Sequence, residues 1–275
     1  MNKIGFIGAG NLAHSMIKGL AQSNSSYQVF VHDIQKNKAD SLAFKFNAKS
    51  CSFTEVVFNS DILVLAVKPK DIMELLQKLS SFTLEKKLII TVAAGISLRV
   101  YESLLPGTAI VRAMPNTSSA VLKSMSALVR GQYVTDQQME VANKIFSCLG
   151  KVLWVEENKM NAVTAVSGSG PAYFYLLTEL MAKAGIKLGL TEEEADFLAR
   201  ETLIGVGKML VEDKRSVEEL RAAVTSPNGT THAAITVFLE NGLENIVSKA
   251  LTAAANRALE MEGEYSGGCA KEGSY

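Results

Sequence analysis

Three clusters of residues have the types and spacing to do chemistry. The first is Gly8-Ala9-Gly10-Asn11-Leu12-Ala13, which follows an apolar run and opens a helical pattern. This is the G-x-G-x-x-A form of the dinucleotide-binding fingerprint. Gly8 allows a tight turn, Gly10 lets a pyrophosphate approach the backbone, and Ala13 keeps helix and strand close together. The first amides of the helix then face the anion. Asp33 stands 20 residues beyond Ala13, at the end of the second predicted strand. A carboxylate there accepts from the ribose 2′-OH of NAD and repels the 2′-phosphate of NADP. However, His32, Lys36 and Lys38 are near enough in sequence to neutralise a phosphate. Asp33 could equally cap a helix starting at 34–35. The choice between NADPH and NADH stays open.

The second cluster is Ser226-Pro227-Asn228-Gly229-Thr230-Thr231, just ahead of a helix. Gly and Asn permit unusual backbone angles, so successive amides can point into one concavity suited to a carboxylate. An ordinary helix start after a Pro-Asn-Gly turn accounts for the same residues equally well. The third cluster, Ser167-Gly168-Ser169-Gly170-Pro171-Ala172-Tyr173, has the look of a serine nucleophile. It lacks the strand–turn–helix setting of a nucleophile elbow, and His232 is the only histidine in that half. Close helix packing explains it better.

The elements that must position these residues fall into two textures. Apolar, β-branched runs at 4–7, 29–32, 62–67, 88–94 and 109–114 alternate with helical patterns, which predicts a doubly wound parallel sheet. A strand at 127–129, a helix over 136–149 and a strand at 152–155 complete it. Ligands of such sheets bind at strand carboxyl ends. Those ends read Ala66-Val67-Lys68-Pro69, Ala93-Ala94-Gly95 and Met114-Pro115-Asn116. From 157 onward only long helices are predicted, one over 158–188 with a kink at 167–171. We therefore expect a Rossmann-type α/β domain at 1–156, an all-helical dimerisation and substrate domain at 157–264, and a disordered tail at 265–275. Ala172, Leu176, Leu177, Leu180, Met181 and Ala184, beside Ala182 and Ile186, make one helix apolar over a wide arc. Such a helix needs burial on most of its circumference. An intertwined homodimer supplies that better than a tightly wrapped monomer.

Composition narrows the function classes. The 275 residues carry 28 Lys+Arg against 28 Asp+Glu, so there is no basic excess for nucleic acid. Cys51, Cys148 and Cys269 are odd in number and far apart, which excludes a disulfide framework and fits a reducing compartment. With only His14, His32 and His232, no metal site built on imidazole is expected. No run has the length and apolarity of a membrane span. Polar residues break up the N-terminal apolar stretch, so a signal peptide is not expected either. The expectation is a soluble cytoplasmic protein.

Taken together, the runs at 5–13 (GFIGAGNLA), 66–69 (AVKP), 93–95 (AAG), 112–117 (RAMPNT), 167–173 (SGSGPAY) and 226–231 (SPNGTT) resemble the pyrroline-5-carboxylate reductase family. They occur in order over nearly the whole chain. The resemblance implies a Rossmann domain, a helical dimerisation domain and dimers that often assemble into decamers. It also implies NAD(P)H-dependent reduction of 1-pyrroline-5-carboxylate to L-proline, with NADPH the family default. By resemblance, Gly8, Ala9, Gly10, Asn11, Leu12, Ala13, Ala66, Val67, Lys68, Pro69, Ala93 and Ala94 are cofactor contacts, and Asn116 lies near the nicotinamide. Ser226, Gly229 and Thr230 cradle the substrate carboxylate, Thr231 sets its hydroxyl on the ring nitrogen, and Glu157 lines the substrate pocket. The imine can carry its own proton, so no strong general acid is needed, in keeping with the lack of a plausible catalytic His or Lys. Two residues depart from the family pattern. Asp33 stands where many members carry Ser, Thr or an Asn-Arg pair, and Phe53 where Asn is common. Competing readings are a β-hydroxyacid dehydrogenase and a non-catalytic nucleotide-binding scaffold. The first needs a Lys in a G-x-x-x-N-x-x-K pattern; Lys159 is present but the pattern is not. The intact SPNGTT loop argues against the second.

Overall fold

Short apolar runs separated by glycine and polar turns fold here into one sheet with helices on both faces. The computed structural model describes residues 2–23 and 26–266. The chain divides into two units: residues up to 169 together with those from 254 onward, and residues 170–253.

The first unit contains strands β1 (Lys3–Ile7), β2 (Gln28–His32), β3 (Lys49–Ser50), β4 (Ile62–Leu65), β5 (Leu88–Thr91), β6 (Ala109–Met114), β7 (Ser124–Arg130) and β8 (Gly150–Trp154). They lie in the order β3-β2-β1-β4-β5-β6-β7-β8. All pairings are parallel except β6 with β7, which is antiparallel. The connection between those two strands is short, and a parallel crossover needs a dozen or more residues. The helices are α1 (Asn11–Gln22), α2 (Lys36–Phe46), α3 (Phe53–Asn59), α4 (Ile72–Leu79), α5 (Leu98–Leu104), α6 (Asp136–Ser147) and α7 (Met160–Val163).

Side chains alternate across the strands, so each strand feeds two cores. Ile4 and Phe6 of β1 and Ile62 and Val64 of β4 meet α1 and α6 on one face. Leu63 and Leu65 of β4 and Ile89 of β5 meet α3, α4 and α5 on the other. Each such side chain, fully buried, contributes about 1.5–3 kcal/mol. Ser52 and Glu55 start α3 with a reciprocal capping box, as do Thr135 and Gln138 for α6.

Some strand boundaries differ from the sequence reading. The runs at 62–67 and 88–94 leave the ladder at Leu65 and Thr91, so their last residues become loop at the carboxyl edge. β7 begins three residues earlier than expected, because the buried Ser124 and Ser126 satisfy each other and the Asn116 amide through hydrogen bonds. The helix expected over 158–188 is broken. After α7, the Ser169 amide donates to the Thr164 carbonyl (2.8 Å), five residues back, and the helix restarts at Gly170 with Pro171 in its first turn.

The second unit holds α8 (Gly170–Lys187), α9 (Glu192–Glu212), α10 (Val217–Ala223), α11 (Thr230–Glu240) and the start of α12 (Leu243–Ser266). Thr191 with Glu194 and Ser216 with Glu219 form capping boxes. Gly242, at φ +74°, lies between the end of α11 and the start of α12. Phe174, Tyr175, Leu180, Phe197 and Val211 are all 52–73% exposed. The wide apolar arc is therefore open to solvent in the single chain. Of the tail expected to be disordered, Tyr265 and Ser266 instead close α12, and Tyr265 packs against the first unit's core. Residues 267–275 lie outside the described residues.

Candidate active site

The glycine turn joins three strand ends. Gly8 has φ +102°, and a Cβ added to it would meet the Ala66 carbonyl oxygen at 2.5 Å. Its amide donates to the His32 carbonyl (2.8 Å), and the Ala66 amide donates to Ile7 (2.8 Å). The Ala9 amide donates to Asp33 Oδ2 (2.7 Å) and the Gln35 amide to Asp33 Oδ1 (2.7 Å). Asp33 therefore turns the chain into α2, as a cap would, and also ties that turn to the glycine loop.

Gly10 is the N-cap of α1 and brings no capping side chain. A Cβ there would have nothing within 4 Å. Ala13 is fully buried against the sheet, while Asn11 and Gly10 are exposed. An uncapped helix start beside open space fits a phosphate: the first amides of a helix lack intrahelical partners and attract anions. Gly8 through Ala13 could hold the pyrophosphate of a dinucleotide. The neighbouring edge carries half-buried Ala66, Val67 and Pro69, exposed Lys68, buried Ala93 and half-buried Ala94.

Asn116 is half-buried. Its Oδ1 accepts from the Ser118 amide (3.2 Å) and its Nδ2 donates to the Ser167 carbonyl (3.3 Å). Ser167 of the serine-glycine cluster thus anchors the β6–β7 turn. Close packing is its observed role, since a Cβ on Gly168 would strike Met114 at 2.6 Å.

Below this edge lies a polar network that sequence reasoning missed. Arg112 of β6 is 3% exposed and donates to Glu157 Oε1 (2.6 Å) and Glu262 Oε1 (2.9 Å). Glu157 Oε1 also accepts from the Leu98 amide (2.9 Å), while its Oε2 is buried without a partner. Nearby, Thr91 donates to the Tyr101 hydroxyl (2.6 Å), and burial pushes the Tyr101 phenol up to about 12. The available signal was an arginine between Val111 and Ala113 in a strand otherwise buried, where an unpaired guanidinium is untenable.

The remaining expected site residues lie in the second unit. Asn228, at φ +62°, and the Gly229 amide, donating to the Ser226 carbonyl (3.0 Å), form the turn before α11. A Cβ on Gly229 would meet Ser226 Oγ at 2.5 Å. Gly229 caps α11 without a side chain, so this helix start is also open. Ser226 and Thr230 are exposed and Thr231 is half-buried. Among the described residues there is no group of three or more His, Cys, Asp or Glu that could hold a metal, and no helix long and apolar enough to cross a membrane.

A glycine turn at the carboxyl edge of a parallel sheet, opening onto a free helix start, defines a Rossmann-type dinucleotide-binding protein, and the family models and relatives make it an oxidoreductase. Comparison with known proteins agrees. Residues 3–95 match the family described as NADP oxidoreductase, coenzyme F420-dependent, and residues 157–261 match Pyrroline-5-carboxylate reductase dimerisation. A pyrroline-5-carboxylate reductase of Pseudomonas aeruginosa is 41% identical over 94% of this chain and 96% of its own. One from Coxiella burnetii superposes with a TM-score of 0.88 at 37% identity, covering 94% of this chain and 97% of its own. The Plasmodium falciparum pyrroline carboxylate reductase, solved with NADP bound, gives 0.83 at 28% identity over 94% and 98%. The chain belongs to the pyrroline-5-carboxylate reductase family.

Proposed function

We propose that this chain reduces 1-pyrroline-5-carboxylate to L-proline, the last step of proline biosynthesis, with NADPH or NADH as donor. The observation that carries the reading is near-full-length identity of 41% to a reductase of that name. The open helix starts at Gly10 and Gly229 support it, because each suits one of the two anionic groups involved.

The nicotinamide, when bound, supplies a hydride to the imine carbon of the substrate. In this reading Gly8, Ala9, Gly10, Asn11, Leu12 and Ala13 hold the pyrophosphate. Ala66, Val67, Lys68, Pro69, Ala93 and Ala94 flank the dinucleotide, with Asn116 beside its nicotinamide end. Ser226, Gly229 and Thr230 hold the substrate carboxylate through amides and hydroxyls. Thr231 orients the ring nitrogen by hydrogen bonding. The iminium form of the substrate brings the proton that ends on the proline nitrogen, so no residue has to act as a strong acid. Catalysis then rests on holding the imine carbon in a near-attack arrangement. Glu157 bears on the substrate pocket indirectly: its ion pair with Arg112 and its bond to the Leu98 amide fix the loop that follows Ala93–Ala94.

The exposed apolar helices of the second unit support a homodimer, with decamers as the further assembly known in the family, and the unpaired thiols Cys51 and Cys148 support a cytoplasmic location. The test is NAD(P)H oxidation on adding pyrroline-5-carboxylate, with proline as the product. Dinucleotide oxidation without proline would overturn the reading.

A further inference from the structure

We propose that Asp33 makes this chain select NADH over NADPH, with the groove at the carboxyl end of β2 taking the adenosine half. The inference rests on the dinucleotide-binding reading above. Asp33 is fixed through both oxygens, one on the Ala9 amide of the glycine loop and the other on the Gln35 amide, each at 2.7 Å. A carboxylate held at two points cannot swing aside for an incoming phosphate. Each oxygen still keeps a lone pair to accept from a ribose hydroxyl.

The surrounding groove, about 630 Å³, is lined by His32, Asp33, Ile34, Lys36, Ser52 and Glu55 among others. Its charge balance disfavours a phosphate: two carboxylates face one ammonium, and among its described lining residues there is no arginine. Bidentate arginine is the usual means of recognising a phosphate. The Ser52 hydroxyl and amide hold the Glu55 carboxyl below its ordinary range, so it stays charged at neutral pH. Ile34 is 92% exposed and offers an apolar surface for a base. Phe53 gives no polar contact of its own, since its ring is engaged edge-on with His32 and Phe82.

The experiment is a titration of the purified full-length protein with NADH and NADPH, without substrate, followed by calorimetry. A 2′-phosphate within a few ångströms of a fixed carboxylate should weaken binding roughly thirtyfold or more relative to NADH. Asp33→Ser should bring the two dissociation constants within about threefold, chiefly by tightening NADPH. If that variant fails to fold, Glu55→Gln, whose amide oxygen can still accept from Ser52, should narrow the ratio by a smaller factor. Wild-type protein that binds NADPH as tightly as NADH, or a ratio unmoved in both variants, would overturn the inference. Selective NADH binding without pyrroline-5-carboxylate reduction would count against the proposed activity alone. If neither dinucleotide bound, both would fall.

Discussion

Gly8 and Gly10 sit two residues apart in one turn, and the structure gives them opposite roles that a pair of alanine substitutions can separate. At Gly8 the backbone is in a region that L-residues rarely enter, and the new methyl would press on the Ala66 carbonyl, just past the end of β4, at 2.5 Å. Backbone strain of about 1–3 kcal/mol and a comparable overpacking term put the loss at about 2–4 kcal/mol. For a chain of this size that lowers Tm by roughly 5–15 °C. At Gly10 φ is −78° and the new methyl meets nothing within 4 Å. Alanine is the poorer N-cap by about 0.5–1 kcal/mol, and the reduced freedom of the unfolded chain returns a similar amount. Gly10→Ala should therefore shift Tm by less than about 3 °C. Yet its methyl occupies the space through which a pyrophosphate would approach, so dinucleotide affinity should fall about tenfold or more, which is about 1.4 kcal/mol. Scanning calorimetry and dinucleotide titration on both variants decide it. Gly10→Ala with an unchanged dissociation constant, or with a Tm loss equal to that of Gly8→Ala, would refute the reasoning.

Three further outcomes follow from the same geometry. Arg112→Met removes the guanidinium that Glu157 and Glu262 share; breaking a buried ion pair costs about 3–5 kcal/mol, and the partial exposure of Glu157 together with the Asn161 bond to Glu262 favours the low end. Adding Glu157→Gln and Glu262→Gln should recover part of the lost Tm, and no recovery would mean that the network is not electrostatic. Tyr101 holds its proton up to about 12 in the fold and to about 10 unfolded, so between these pH values the unfolded chain binds fewer protons and stability falls as pH rises. Relative to wild type, Tyr101→Phe should gain up to about 2–3 kcal/mol across that window, after losing about 1 kcal/mol at neutral pH with the Thr91 bond; parallel denaturation curves at all pH values would contradict it. Thr231→Ala should lower kcat/KM about tenfold or more, about 1.4 kcal/mol, with Thr231→Ser retaining most of the rate. Unchanged kinetics in the alanine variant would remove Thr231 from the mechanism.

What the sequence made legible depended on whether a residue's task was local. The strand–turn–helix around Gly8–Ala13 could be read directly, because backbone freedom and close approach are properties of single glycines in a fixed pattern. The start of β7 was hidden because Ser124 and Ser126 read as turn residues, and only the fold reveals that they bond each other and Asn116. The two-residue β3 has too few side chains for any periodicity. Arg112 joins Glu157, 45 residues away, and Glu262, 150 residues away in sequence number, so no window could pair them. The end of α12 belongs with this first unit for the same reason: Met261 packs where Gly95 has no side chain, a contact that only tertiary structure creates.

Isotope transfer tests the central claim most directly. Wild-type protein is given pyrroline-5-carboxylate and a dinucleotide carrying deuterium in both positions at nicotinamide C4, and the product is analysed by mass spectrometry and NMR. The account predicts L-proline carrying deuterium at C5, formed in step with dinucleotide oxidation. Proline without the label, or oxidation of the dinucleotide with no proline, would contradict it.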